Sequence, residues 1–200
     1  GMNIGILGSG DVGKTLGKGL IQLGYNIKIG SRDPKKLQEW VKEAGAQGSA
    51  GNFEEAAKFG EIVFICTLWA GTENAIQLAG KNFEKKIVVD VTNPLDFSQG
   101  MPPRYIGGPG KSNGEKIQQW LPDAHVVKAF NMIGNAMMCN PKREEGDPTL
   151  FIAGEEKGKK FIEDVARKWG WKDVVDMGDI TVSHLLESLA MVWIEYAFKY

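Results

Sequence analysis

Short apolar runs alternate with segments of helical periodicity along most of the chain. The apolar runs have the length and composition of buried strands: Ile4–Leu7, Tyr25–Ile29, Ile62–Cys66 and Ile87–Val91, and more weakly Gln47–Ala50, Val126–Ala129, Leu150–Ala153 and Val174–Val175. Apolar residues three or four apart predict helices between them: one over Val12–Leu23 that stops at Gly24, one that starts at Asp33-Pro34, and others over Phe53–Phe59, Gly114–Leu121, Glu155–Trp169 and Thr181–Phe198.

This alternation predicts an α/β fold with a mostly parallel sheet. We expect a single domain over residues 2–200, with a core at 2–145 and a sheet extension and terminal helix at 146–200. Gly1 is interpreted as an added residue that precedes the natural start. Asp33 is expected to cap the helix that Pro34 begins, and the segment 94–113, rich in proline and glycine, is predicted to be a loop.

Charge and composition exclude several classes of partner. The chain of 200 residues carries 24 Lys and Arg against 25 Asp and Glu, so no basic excess favours nucleic acid or an anionic membrane. The apolar C-terminal segment contains His184 and Glu187, which argues against a membrane span. Cys66 and Cys139 lie far apart and form no metal-type cluster, so we expect a cytoplasmic protein without a bound metal.

The segment GILGSGDVGKT at residues 5–15 satisfies two phosphate-binding patterns at once. Gly8, Gly10 and Gly13 form G-x-G-x-x-G, which is typical of dinucleotide-binding turns, whereas Gly8, Gly13, Lys14 and Thr15 match the P-loop of nucleotide triphosphatases. The P-loop interpretation can also use Asp90, at the end of a predicted strand, as a magnesium ligand.

Three features favour the dinucleotide turn. The P-loop does not require Gly10, whereas a pyrophosphate needs it for close backbone approach. Gly17 follows Gly13 on the same helix face and would let the helix pack closely on the sheet. The next strand ends about 20 residues after the turn, where a ribose-binding residue belongs. We therefore predict a Rossmann-type, doubly wound sheet in which the turn over Gly8, Ser9, Gly10, Asp11, Val12 and Gly13 holds the pyrophosphate.

The tip of the second strand indicates which dinucleotide is bound. NAD enzymes place a carboxylate there, but this chain has Ser31 and Arg32, followed by Lys36. A hydroxyl and a guanidinium can both donate to a 2′-phosphate, which a carboxylate would repel. We therefore predict that NADP(H) is bound rather than NAD(H). The alternative is that these residues form a solvated basic turn with no role in binding.

The strand ends farther along the sheet provide the remaining rim, because ligands of doubly wound sheets lie beyond the C-terminal ends of the strands. We assign the nicotinamide end to Thr67, Leu68, Trp69, Asn93 and Asn131. Trp69 serves equally well as plain packing, and the two asparagines as turn-fixing residues. The substrate pocket is predicted to involve Phe130, Met132, Ile133, His184 and Glu187.

Few titratable groups are placed for catalysis. His125 begins a strand and is interpreted as structural. His184 and Glu187 lie three residues apart on one helix face and could act together, although a solvated surface patch is the favoured explanation. So few titratable side chains are typical of a redox enzyme in which the cofactors carry out the chemistry.

Four blocks of sequence resemble a known family: NIGILGSGDVGKTL, IKIGSRDP, VVDVTNP and VVKAFN. They are similar to the NADPH-dependent reductases of the deazaflavin-coenzyme (F420) NADP oxidoreductase family, and to the NADPH-binding domain of the six-transmembrane ferric reductases. The resemblance implies a Rossmann-type fold with added strands and a C-terminal helix. It also implies hydride transfer between NADP(H) and coenzyme F420, or FMN or FAD, as the small-molecule acceptor.

Two segments depart from the family pattern. The deazaflavin enzymes carry a histidine-containing segment where this chain has Phe130-Asn131-Met132-Ile133, and the loop Gln99–Asn113 is distinctive. An imine or carbonyl reductase and an NADPH-binding sensor without turnover remain as alternatives.

The last helix is apolar on nearly every face, with Leu185, Leu189, Val192, Trp193 and Tyr196 on one side, and this predicts a homodimer.

Overall fold

The computed structural model describes residues 1–200, which form one large sheet flanked by helices. The strands are β1 (Asn3–Leu7), β2 (Asn26–Gly30), β3 (Gly48–Gly51), β4 (Ile62–Ile65), β5 (Ile87–Asp90), β6 (Leu95–Asp96), β7 (Arg104–Tyr105), β8 (His125–Lys128), β9 (Thr149–Gly154) and β10 (Asp173–Asp176). The helices are α1 (Asp11–Gln22), α2 (Gln38–Ala44), α3 (Phe53–Phe59), α4 (Trp69–Ala79), α5 (Asn113–Trp120), α6 (Asn135–Met138), α7 (Glu156–Trp169) and α8 (Ser183–Lys199).

The sheet has the strand order of a doubly wound dinucleotide fold. Its eight strands run β10-β9-β8-β5-β4-β1-β2-β3, and every neighbouring pair is parallel except β8 with β9. The chain moves outward from β1 to β3 and then returns to place β4 on the other side of β1, which creates the switch point where ligands bind. The predicted Rossmann-type α/β fold with added C-terminal strands and a terminal helix is confirmed.

Alternating side chains of the strands fill two apolar layers, one on each face of the sheet. Ile4 and Ile6 of β1 face Leu16 and Leu20 of α1 in the larger layer. Strand neighbours of opposite parity, such as Val63 and Ile65, join α3 and α4 in the smaller layer. Because both faces are covered, all four residues of β4 are buried, as its continuous apolar run predicts.

Three local predictions need correction. Asp33 makes no capping hydrogen bond, and Pro34–Leu37 is a 3-10 turn that precedes the shorter helix α2. The predicted loop 94–113 contains the antiparallel pair β6–β7. Helix α4, which the sequence did not suggest, begins directly after Leu68, because alanines at helical spacing pack its inner face on the sheet.

Helix α8 packs on the fold by a narrow stripe. Its buried residues are Ser183, Leu186, Glu187 and Ala190, whereas large apolar side chains on its other faces remain exposed, namely Leu185, Val192, Trp193, Tyr196 and Phe198. No helix combines the length and the apolar composition that a membrane span requires.

Candidate dinucleotide site

The turn between β1 and α1 depends on two glycines for its shape. Gly8 has φ 117°, and a methyl group there would lie 2.6 Å from the carbonyl oxygen of Cys66. A methyl group at Gly13 would collide with the carbonyl oxygen of Gly8. Farther along α1, a methyl group at Gly17 would lie 2.8 Å from Cζ2 of Trp40 and 3.4 Å from Cδ1 of Ile6. The missing side chain of Gly17 therefore leaves room for Trp40 of α2 as well as for the sheet, which adds to its predicted role.

Gly10 differs from these glycines because nothing in the protein fills the space beside it. A methyl group there would have no protein atom within 4 Å, and its backbone is extended, with φ −80° and ψ −173°. Gly10 is the N-cap of α1, so the unpaired N–H groups of the first helical turn begin here. Free N–H groups and an open approach are what an anionic phosphate needs.

A cleft of about 530 Å³ opens over this turn. It is lined by Gly8, Ser9, Gly10, Asp11, Val12, Ser31, Arg32, Phe53, Cys66, Thr67, Leu68, Ala70 and Gly71. The structure thus brings the glycine turn, the tip of β2 and the end of β4 to one cavity. Phe53, at the start of α3, is a lining residue that the sequence did not suggest.

The tip of β2 presents hydrogen-bond donors to the cleft. Oγ of Ser31 accepts from Oγ of Ser9 at 3.2 Å and from the N–H of Asp33 at 3.1 Å. Its lone pairs are therefore engaged, and its own hydroxyl proton is free to donate to a ligand. Arg32 is exposed on the same wall, while Lys36 lies on the 3-10 turn outside the cleft lining.

A smaller recess of about 160 Å³ continues the cleft toward β5. The two cavities share Val12, Cys66, Thr67 and Leu68, and the recess adds Trp69, Val91, Thr92, Asn93, Leu95 and Phe97. Trp69 lines the recess and also stacks on Trp120 with ring centroids 5.6 Å apart, so its packing role is confirmed, while its contact with a cofactor stays a prediction.

Asn93 and Asn131 hydrogen-bond to each other. Nδ2 of Asn131 donates to Oδ1 of Asn93 at 2.9 Å and to the carbonyl of Leu186 at 3.0 Å, while Nδ2 of Asn93 donates to the carbonyl of Asn131 at 2.8 Å. Both donor hydrogens of Asn131 are thus used inside the protein, whereas Asn93 keeps one N–H for a ligand. Asn131 is 7% exposed and fixes the turn after β8.

The residues predicted for the substrate pocket do not all lie together. Met132 and Ile133 line a groove of about 720 Å³ together with Phe151 of β9 and Leu189 and Trp193 of α8. Phe130 is absent from it, because its ring is fully buried against Trp169, so the prediction that it lines a pocket is wrong.

Glu187 also lies elsewhere than expected. Its side chain is fully buried, so it forms no solvated patch with the half-buried His184 and does not line the groove. Its partner is Lys128, whose Nζ is 2.8 Å from Glu187 Oε2 and 2.7 Å from Asp90 Oδ2. This buried Asp90–Lys128–Glu187 cluster escaped the sequence analysis, although a lysine within the apolar segment VVKAF was a signal for it.

Opposing effects set the charges in this cluster. Burial by itself lowers the pKa of Lys128, but the charges of Asp90 and Glu187 outweigh it, and the pKa ends above its usual value. Burial raises the pKa of Glu187, with Lys128 opposing and Asp90 adding to the rise. The lysine therefore stays protonated, and Asp90, committed to it, is not free to bind magnesium as the P-loop interpretation requires.

Comparison with known proteins identifies the family. Residues 3–94 match the family model described as NADP oxidoreductase, coenzyme F420-dependent. A crystal structure from Arthrobacter sp. FB24, of a proposed F420-dependent NADP reductase, superposes with a TM-score of 0.91 at 36% sequence identity, covering 98% of this chain and 93% of that one. The chain belongs to the F420-dependent NADP oxidoreductase family. This membership confirms the resemblance found in the sequence and excludes the P-loop interpretation of the glycine turn.

Two further relatives differ in how much of their own length this chain covers. The F420-dependent NADP reductase of Methanocaldococcus jannaschii is 29% identical over 212 residues, which cover 100% of this chain and 94% of the relative. Metalloreductase STEAP3 of Rattus norvegicus is 30% identical over 193 residues, which cover 94% of this chain and only 36% of the relative. As a member of the F420-dependent NADP oxidoreductase family, the chain is an NADP-dependent oxidoreductase, the enzyme class predicted from its sequence.

Proposed function

We propose that the protein transfers hydride between NADP(H) and a planar acceptor of the deazaflavin or flavin type. The observation that carries this proposal is the continuous cavity from Ser31 and Arg32, across the open face of Gly10, to the recess at Thr67 and Asn93. Its similarity to F420-dependent NADP reductases favours coenzyme F420 as the acceptor.

Each part of this cavity has donors suited to one part of NADP(H). The first N–H groups of α1 would hold the pyrophosphate, and Ser31 and Arg32 would hold the 2′-phosphate. The free N–H of Asn93 would orient the carboxamide beside Thr67. When bound, the dinucleotide supplies the hydride, and these residues supply binding and orientation.

The lining of the recess favours hydride transfer to a second redox cofactor. Its walls are apolar and aromatic side chains, two threonine hydroxyls, the thiol of Cys66 and one amide, and no carboxylate, histidine or lysine lies among them. Reduction of an imine or a carbonyl compound needs a proton donor near the nicotinamide, whereas hydride transfer to a flavin-type ring makes less demand on the protein. This observation ranks a planar redox acceptor above a small carbonyl substrate.

We further propose that two copies assemble through α8 in the cytoplasm. Val192, Trp193 and Tyr196 are 63%, 59% and 56% exposed, and such an apolar face on one helix is typical of an interface. Trp193 also lines the groove that contains Met132 and Ile133, so a partner subunit on α8 would close that groove and form a shared acceptor pocket. Both free cysteines fit a reducing compartment.

Two measurements test the proposed function. Calorimetry should give NADPH binding and no binding of ATP with magnesium. Steady-state oxidation of NADPH should then be followed with coenzyme F420, FMN, FAD and ferric chelates as acceptors. We expect turnover with a flavin-type ring. Binding of NADPH without turnover on any acceptor would favour a sensor, and absence of NADPH binding would overturn the proposal.

A further inference from the structure

The ammonium group of Lys128 is fully buried, and each of its three donors has a partner. Nζ lies 2.7 Å from Asp90 Oδ2, 2.8 Å from Glu187 Oε2 and 2.6 Å from the carbonyl oxygen of Thr92. Strand β8 supplies the lysine, β5 supplies Asp90, and α8 supplies Glu187. The lysine therefore joins the end of the parallel sheet to the terminal helix.

Thr92 is held by this cluster through all of its polar groups. Its N–H and its hydroxyl donate to Asp90 Oδ1 at 2.8 and 2.6 Å, and its carbonyl accepts from Lys128. Its hydroxyl also accepts from Nδ2 of Asn113 at 3.0 Å, while Glu187 accepts from the backbone N–H groups of Asn113 and Gly114. The cluster thus fixes the backbone that leads directly into Asn93, on the wall of the recess.

Three consecutive residues of helix α8 bond to groups that hold the wall of the recess. The carbonyl of Leu186 accepts from Asn131, which binds Asn93, and Glu187 accepts from Lys128. The hydroxyl of Ser188 hydrogen-bonds that of Tyr105 in β7 at 2.9 Å, and β7 pairs with β6, whose Leu95 lines the recess. One helical turn therefore holds the separate segments that form this wall.

Three buried charged groups contribute little net stability to a fold. Removing these charges from water costs several kcal/mol, and apolar residues of similar volume often stabilise a fold equally well. The same groups have a clear use as a rigid polar frame, since each of the three charged side chains has ion-pair and hydrogen-bond partners and the frame ends at Asn93.

We infer that Lys128 is a positioning residue, which with Asp90 and Glu187 holds Thr92 and Asn93 in the geometry that the nicotinamide end of the cofactor requires. This inference rests on the proposed function. The adenosine end is separate from the cluster, because Gly10 lies in the turn between β1 and α1, and Ser31 and Arg32 follow β2, whereas the cluster is built from β5, β8 and α8.

The two ends can be tested separately, because 2′,5′-ADP contains only the adenosine half of NADPH. For Lys128→Met we expect an unchanged Kd for 2′,5′-ADP, a Kd for NADPH raised by about tenfold through a lost hydrogen bond, and a kcat lowered by about 100-fold, the cost of a misplacement of about 1 Å. Thr92→Val is a milder second variant, because it removes only the hydroxyl that joins Asp90 to Asn113, and it should lower kcat in the same selective way.

Lys159→Met is the matched control. Lys159 is 6% exposed and pairs with Glu156 and Asp176 at 3.0 Å each, but it lies at the β10 edge of the sheet. Its loss should lower the unfolding temperature without changing kcat. Failure of the unmodified protein to bind NADPH or 2′,5′-ADP would overturn the proposed function itself. If the unmodified protein binds both ligands, either of two results would overturn the positioning role. One is an unchanged kcat in folded Thr92→Val, and the other is an equal loss of affinity for NADPH and 2′,5′-ADP in Lys128→Met.

Discussion

Gly10→Ala separates the binding role of the glycine turn from its structural role. Alanine adopts the φ of −80° found at Gly10, and its methyl group would meet no protein atom within 4 Å. Replacing a glycine N-cap by alanine costs roughly 0.5–1 kcal/mol, and the reduced entropy of the unfolded chain returns about 0.4–1 kcal/mol. We therefore expect a free energy of unfolding within about 1 kcal/mol of the original, which shifts Tm by no more than about 4 °C.

The effect of the same methyl group on NADPH should be much larger. It would occupy the open space through which the pyrophosphate must approach the first N–H groups of α1. A hydrogen bond to a charged group is worth about 1.5–3 kcal/mol, so the loss of two costs at least about 3 kcal/mol. Since 1.4 kcal/mol corresponds to a factor of ten, the Kd should rise by about 100-fold or more.

Calorimetry with NADPH and thermal unfolding measure the two effects on the same samples. Gly134→Ala is the matched control, because Gly134 is also a glycine N-cap with extended backbone and no atom within 4 Å of an added methyl group. It should leave the affinity unchanged. Gly13→Ala should lower both stability and affinity, because its methyl group collides with the Gly8 carbonyl. An unaltered NADPH affinity in folded Gly10→Ala would refute the placement of the pyrophosphate.

Three other outcomes are expected. Arg32→Ala should weaken the binding of NADPH more than that of NADH, by about 1.5–3 kcal/mol for a lost charged hydrogen bond. Equal losses of affinity for the two nucleotides in calorimetry would show that Arg32 does not contact the 2′-phosphate. Light scattering at micromolar concentration should give a dimeric mass for the unmodified protein and a monomeric mass for Trp193→Glu, whereas a monomeric mass for both would contradict assembly through α8. Cys66 and Cys139 should react with a thiol reagent at pH 8 more slowly in the native protein than in urea, because burial raises the pKa of each thiol and lowers its thiolate fraction; equal rates would contradict that burial.

The fold could be predicted because its signals are local. Apolar runs such as Ile62–Cys66 mark strands covered on both faces, and the helical repeat after the glycine turn marks α1. Local signals also explain the errors. Aspartate is a common N-cap residue, but the side chain of Asp33 caps nothing. Its N–H donates to Oγ of Ser31, and the chain continues into a 3-10 turn. The residues after β4 fit the rim of a cofactor site, and the small alanines Ala75 and Ala79 of α4 give only a weak helical signal.

The two ends of the candidate site differ in how much the sequence indicates. At the adenosine end, the lining residues come from two short segments, Gly8–Gly13 and Ser31–Arg32, whose spacing is fixed by a single βαβ unit. At the other end, Asn93 is held by Asn131, which is held in turn by α8. Glu187 looked like a surface residue because its partner, Lys128, is distant in sequence and no periodicity joins the two.

This difference has a consequence for how the acceptor is specified. The segment 3–94 contains the glycine turn, the tip of β2 and Asn93, so it carries most of the proposed contacts to NADP(H). The hairpin β6–β7, the turn after β8 and the exposed face of α8 lie outside that segment, yet they line the recess or the neighbouring groove. The dinucleotide turn between β1 and α1 belongs to none of these elements, so they can change shape and chemistry while the turn stays constant. A choice of acceptor is therefore expected to reside in α8 and the hairpin, and a partner subunit bound to α8 would act on the same wall.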